Sequence, residues 1–334
     1  MFLKIGQRPY SNIAEVIAIV AIVLITILHR GHADVTPDER SAVSQASRDA
    51  PVIGILAESV VSKKMQSTLG VKRTASFIAA SYVKWAETAG ARVVPILLNQ
   101  PESYYANLMS KINGVIFPGG AVSLSRGGYA TAGRTIFELA EKMNQLATYF
   151  PIWGTCLGFE LLTVVMANRN VLASCSAKKL HLPISFQSGY ETSKIFSAAP
   201  KEIISMLANE PITVNSHHKC LTPTNMTLSG LSSRLRNLGN SVSRDGIVFS
   251  AVFEDMRYPF YGVQFHPEKP GFEPGSYSTH AVQAGNYFGT FFVNEARKNG
   301  QRFASKQEEN AFSIHNWAPT PAPGTVYHEI YLFR

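Results

Sequence analysis

Residues 151–169 read PIWGTCLGFELLTVVMANR, and the fold class follows from how that stretch divides. Pro151–Trp153 has the unbroken apolar character of a buried strand, and Leu157–Arg169 has the length and apolar density of a helix packed on a sheet. Between them Gly154 and Gly158 bracket Cys156. That spacing permits a sharp, strained strand-to-helix turn which thrusts a nucleophile out at the C-terminal edge of a sheet. The N-terminus of the following helix favours a thiolate there through its dipole and unpaired N–H groups. The alternative is a buried structural cysteine, the usual fate of an unpaired one.

Similar apolar runs recur on either side: VIGIL (Val52–Leu56), ARVVPIL (Ala91–Leu97) and GVIFPG (Gly114–Gly119) before it, IVFSAVFE (Ile247–Glu254) and YGVQF (Tyr261–Phe265) after it. Helical patterns separate the earlier ones, at Ala75–Ala89 with Ile78, Tyr82, Val83 and Ala86 on one face, and at Ala132–Ala147. A further helix is expected over Ala281–Lys298, presenting Phe288, Phe291 and Phe292. Alternating strands and helices predict an α/β fold, a mostly parallel central sheet flanked by helices. The tail from about residue 301, rich in proline, reads as an irregular C-terminal extension of a domain that begins at residue 51.

The chain has 334 residues, 46% hydrophobic and 16% charged, which excludes a disordered or coiled-coil protein. Three cysteines are too few for a disulfide scaffold, and their odd number leaves at least one thiol free; whether Cys175 and Cys220 pair stays open. No metal-ligand spacing is present, and no cofactor is called for. The net charge of +8 favours an anionic partner. Because Lys and Arg are scattered without aromatic interleaving, a small polyanion is expected and nucleic acid is not.

The uncharged run Val16–Leu28 follows Lys4 and Arg8 and precedes Gly31-His32-Ala33. It falls short of the ~20 apolar residues of a spanning helix and matches a signal peptide, residues 1–33, cleaved after Ala33. Residues 34–50 form a polar leader. An uncleaved anchor is the alternative, and either reading takes the remainder out of the cytosol; after cleavage no stable membrane association is expected. Asn225-Met226-Thr227 is a glycan acceptor sequence, expected in a surface loop.

Val263-Gln264-Phe265-His266-Pro267-Glu268-Lys269 follows a strand directly. An imidazole at one strand end can reach a cysteine at the end of a neighbouring strand, and Glu268 can bend back onto His266 to set its tautomer. Phe117-Pro118-Gly119-Gly120 ends another strand, where a backbone N–H, that of Gly120, can form an oxyanion hole with that of Leu157. Taken alone, the first motif reads as a surface turn and the second as a tight turn. Together with Cys156 they suit one catalytic centre holding a resting thiolate–imidazolium pair.

FPGG, WGTCLGFE and VQFHPEK resemble the class I glutamine amidotransferases. Within that superfamily PVIGIL (Pro51–Leu56), ASYVKWAETAGARVVP (Ala80–Pro95), INGVIFPGG (Ile112–Gly120), YFPIWGTCLGFE (Tyr149–Glu160), YPFYGVQFHPEK (Tyr258–Lys269) and FFVNEARKN (Phe291–Asn299) resemble the γ-glutamyl hydrolase family, which cleaves folyl and antifolate poly-γ-glutamates. The resemblance implies a cysteine peptidase with the amidotransferase-like fold, Cys156 as nucleophile, His266 as base and acid, and Glu268 as orienting carboxylate. It also implies an accessory histidine at His217, or at His218 because Lys219 and Cys220 stand where the family carries an aromatic. Ser174–Lys179, SCSAKK, departs from the family pattern too, which bears on fine substrate preference. A homodimer in the lysosome or secreted, with no cofactor, is implied as well. The competing expectations are an amidotransferase-type or small γ-glutamyl amide hydrolase, for which no synthase domain is present, and an inactive binding homologue, against which Cys156, His266 and Glu268 all stand.

Overall fold

A computed structural model describes residues 50–274 and 277–334. The expected signal peptide, its cleavage after Ala33 and the leader up to residue 49 lie outside the described residues. The strands are β1 (Val52–Leu56), β2 (Glu58–Ser59), β3 (Ser76–Ala79), β4 (Arg92–Ile96), β5 (Gly114–Phe117), β6 (Ile152–Thr155), β7 (Ala173–Ser174) and β8 (Leu180–Leu182). They continue as β9 (Ser185–Phe186), β10 (Thr213–Asn215), β11 (Lys219–Cys220), β12 (Leu235–Val242), β13 (Val248–Asp255), β14 (Phe260–Val263), β15 (Pro319–Pro321) and β16 (Glu329–Phe333). The helices are α1 (Lys63–Leu69), α2 (Ala80–Thr88), α3 (Glu102–Met109), α4 (Gly128–Gln145) and α5 (Leu157–Ala167), then α6 (Lys201–Asn209), α7 (Pro223–Leu228), α8 (Thr279–Ala296) and α9 (Lys306–Phe312).

The central sheet runs β4-β1-β5-β6-β14-β13-β12-β9. Its first five strands are parallel, as the alternation of strands and helices requires, and β13, β12 and β9 extend it antiparallel. Near-continuous Val, Ile and Phe in β1, β5 and β6 are buried along their whole length, the mark of a parallel sheet covered on both faces. Trp153 of β6 packs against Trp85 of α2 and against Phe288 and Phe292 of α8, with ring centroids 5.7, 6.0 and 5.9 Å apart. Burying each such aromatic stabilises the fold by about 1.5–3 kcal/mol, which braces this junction of β6, α2 and α8 beneath the site. Phe291, expected on the same face, is half-buried, with its ring 6.5 Å from that of Trp153.

Two expectations are corrected. The helix expected from Ala75 begins only at Ala80, because Ser76–Ala79 is strand β3. The tail expected to be irregular contains α9 and a strand pair, and β16 lies antiparallel along β3 with Ile330 opposite Ala79 and Phe333 opposite Ser76. Both errors share one cause. A strand whose partner lies some 250 residues away in sequence is invisible to local periodicity, and the order β15-β16-β3-β2 exists only once the segments at 58–79 and 319–333 meet.

Candidate active site

Cys156 sits at the junction of β6 and α5 with φ 51° and ψ −103°, a backbone state that costs a non-glycine residue about 1–3 kcal/mol and marks the expected elbow. Its N–H donates to Val263 O (2.9 Å) and its carbonyl accepts from Glu160 N (2.9 Å), which ties the turn to β14 on one side and the helix on the other. Gly158 is obligatory, since a Cβ there would collide with the Phe117 carbonyl of β5.

Register brings the partners together. Val263, the last residue of β14, lies beside Thr155, the last of β6, so the chain leaving β14 carries His266 to the mouth of the elbow. A Cβ placed on Gly119 would lie 2.6 Å from His266 Cε1 and 3.2 Å from Cys156 Cβ, so ring, thiol and Gly119 share one small space. His266 Nδ1 is 2.7 Å from Glu268 Oε1. A carboxylate only accepts, so the proton belongs on Nδ1 and the Nε2 lone pair stays free for the thiol proton.

The expected resting thiolate–imidazolium pair is corrected. Cys156 is 3% exposed, and burial first, then the Glu160 charge, push its thiol well up; Lys269 and the Leu157 N–H oppose this and lose. Burial and Lys269 together hold His266 below the usual imidazole range against the pull of Glu268. Desolvation outweighs the helix terminus, so the neutral thiol and the neutral imidazole are the favoured forms at rest.

Two contributors escaped the sequence reading. The Tyr82 hydroxyl accepts the Gly119 N–H (2.7 Å) and lies 3.4 Å from His266 Nδ1. Glu160, one turn along α5 from the nucleophile, accepts from Gln264 Nε2 (3.1 Å), and burial raises its pKa to about 8. A buried tyrosine hydroxyl needs a partner, and a carboxylate four residues after the cysteine shares its helix face; those were the available signals.

His217 is buried and His218 exposed, so it is His217 that can face the interior. Its Nδ1 donates to Lys219 O (2.9 Å), Nε2 lies 3.2 Å from Asn215 Oδ1, and burial lowers its pKa to about 4, leaving it neutral. The Cys175–Cys220 disulfide flanks it, with sulfurs 3.7 and 3.6 Å from Nδ1. Among the described residues these three are the group whose ligand atoms approach metal-site distances, but the two sulfurs are bonded to each other. The disulfide closes a loop with a sequence separation of 45. Cys175→Ser with Cys220→Ser is therefore expected to lower urea-unfolding stability by about 4 kcal/mol under oxidising conditions. A loss below about 1 kcal/mol would show that the loop is held by other means.

Asn225 does not lie in a loop. Thr222 caps α7 and Pro223 opens it, so Asn225 falls in the first turn, half-buried, with Nδ2 donating to Val171 O (2.9 Å). A glycan at that nitrogen would first have to displace this bond.

The chain matches the Peptidase C26 family over residues 51–268. Gamma-glutamyl hydrolase of Bos taurus is 39% identical over 275 residues, covering 81% of this chain and 85% of its own. That of Homo sapiens is 38% identical over 274 residues, covering 80% and 85%. Gamma-glutamyl hydrolase 1 of Arabidopsis thaliana is 33% identical over 292 residues, covering 85% and 82%. Among solved structures, the glutaminase domain of Trypanosoma brucei CTPS with bound acivicin aligns with a TM-score of 0.46 at 13% identity, covering 77% of this chain and 97% of that one.

Proposed function

The chain belongs to the peptidase C26 family, and from that membership and the geometry of the elbow we infer a cysteine hydrolase of γ-glutamyl bonds that acts on folyl poly-γ-glutamates. The observation that carries the chemistry is the strained Cys156 set beside an imidazole whose Nδ1 is held by Glu268. As Cys156 Sγ attacks the γ-carbonyl carbon, its proton passes to His266 Nε2. The carbonyl oxygen becomes an oxyanion received by the Gly120 and Leu157 N–H groups. His266 then protonates the departing amine, leaving a thioester, and water activated by the same imidazole releases the γ-glutamyl carboxylate and restores the thiol. Gln264 Oε1, buried with no donor among the described residues, and Glu160 beside it offer acceptors for the amide N–H on the α-carbon of the substrate's glutamyl residue. Lys269, whose charge acts on Cys156, and Lys219, whose charge acts on Glu160, suit a chain of carboxylates.

The test is hydrolysis of folate pentaglutamate with product lengths resolved, against glutamine as competitor. Shortened folates and free glutamate or glutamyl peptides are expected; turnover that prefers glutamine would transfer the assignment to a glutaminase-type amide hydrolase.

For location we propose a lysosomal or secreted enzyme. The apolar segment at 16–28 and the Cys175–Cys220 disulfide support an oxidising secretory route. Among the described residues no helix is long and apolar enough to cross a membrane. Recovery of the chain in the cytosol with Met1 retained would overturn this proposal. A homodimer, proposed from the family resemblance, is checked by sedimentation.

A further inference from the structure

Glu58 is an acid in an otherwise apolar stretch, VIGILAES, and at 5% exposure it is a costly residue to bury unless its carboxyl group is used. It is used on the loop that follows β5. Glu58 Oε1 accepts the Ala121 N–H (2.7 Å), and a Cβ on Gly120 would collide with the carboxyl carbon and both oxygens, so the carboxyl group lies flat against the Gly120 Cα. Two more buried side chains grip the same loop. Tyr129 Oη donates to Pro118 O (2.7 Å), and Tyr82 Oη accepts the Gly119 N–H (2.7 Å). The amides of residues 119 and 121 are thus both committed, and that of Gly120 between them has no acceptor among the described residues.

We propose that Glu58 is a positioning residue for the oxyanion hole: by holding the Ala121 peptide and seating Gly120 on its carboxyl plane, it keeps the Gly120 N–H uncommitted and in place for the developing oxyanion. This rests on the reading above that Gly120 and Leu157 form the hole. The requirement is for an acceptor oxygen, not for a charge. Burial opposed by the Ala121 N–H leaves the acid with a pKa of about 7, and the ionisable groups that face it, the buried Tyr129 of α4 and the half-buried Tyr327 ahead of β16, are phenols that give its charge no counter-ion. In mild acid the carbonyl oxygen of the neutral acid serves.

The experiment compares Glu58→Gln, which keeps an acceptor, with Glu58→Met and Glu58→Ala, which do not. The assay is at pH 5 on a γ-linked diglutamyl substrate, with folding checked by circular dichroism. The apolar variants should lose about 10–10²-fold in kcat with KM within about twofold, because only the transition state carries the oxyanion. Glu58→Gln should stay within about threefold of wild type in kcat. A γ-glutamyl aldehyde, whose adduct with Cys156 carries the same oxyanion, should lose affinity in step with kcat. On a Cys156→Ala background, by contrast, Glu58→Met should leave binding of the diglutamyl substrate unchanged. Unaltered kcat and aldehyde affinity in a folded apolar variant, or a loss confined to KM, would overturn the proposal. Should neither apolar variant fold, Glu58→Gln decides alone, and a loss of more than about tenfold in kcat overturns it. If wild type binds the aldehyde no better than the matching alcohol, the reading of the hole itself fails, and the part given to Glu58 fails with it.

Discussion

Cys156→Ala is expected to reduce kcat on a γ-linked glutamyl substrate by about 10⁵–10⁶-fold, the scale seen when a nucleophile is removed from a working triad. The loss is that large because no second nucleophile stands in the described site. The one other sulfur pair, Cys175–Cys220, is closed in a disulfide around His217. Stability should change little. Alanine inherits the same φ of 51°, so the strain of the elbow stays, and the tie from residue 156 N to Val263 O is a backbone bond untouched by the substitution. The measurement is single-turnover hydrolysis beside thermal unfolding and calorimetric substrate binding. Residual hydrolysis within tenfold of wild type, with the fold intact, would remove Cys156 from the mechanism.

Glu268→Gln should lower kcat by about 10³–10⁴-fold, because an amide can hold His266 in the wrong tautomer and no longer stabilises the imidazolium formed as the thiol proton arrives. The pH profile separates this from a general loss of structure. With thiol and imidazole neutral at rest, the acid limb of kcat/KM reports protonation of His266. Burial and Lys269 depress the pKa of that group, so in wild type the limb lies below the ordinary imidazole value of about 6.5. Glu268 pulls the other way, by charge and by its hydrogen bond at 2.7 Å. Removing its charge therefore lowers the His266 pKa further, and the acid limb of the variant should move to lower pH while the plateau falls. A limb that moves upward would mean that the charge on Glu268 does not act on His266 as the geometry indicates.

Much of this molecule was legible without coordinates. The parallel strands at 52–56, 92–96, 114–117 and 152–155 announce themselves as short apolar runs, and the elbow as a cysteine between two close glycines, because hydrophobic period and turn chemistry are local properties. That Cys156, His266 and Glu268, the proposed catalytic residues, come together was legible for a related reason: each stands within a few residues of a strand end, and strands lying side by side put their ends side by side. What only the tertiary structure decided depends on contacts between distant segments. Strand β3 was read as the start of a helix, and β16 as irregular tail, since each exists through its pairing with the other. Tyr82 was read as one more apolar residue on a helix face, yet its hydroxyl holds Gly119; Glu58 drew no attention until the loop at 118–121 lay against it. The resting charge state came out opposite to expectation. A helix terminus favours a thiolate by an amount that the local sequence announces, whereas the desolvation that overrides it is set by how many other segments close over the sulfur, and that only the folded chain determines.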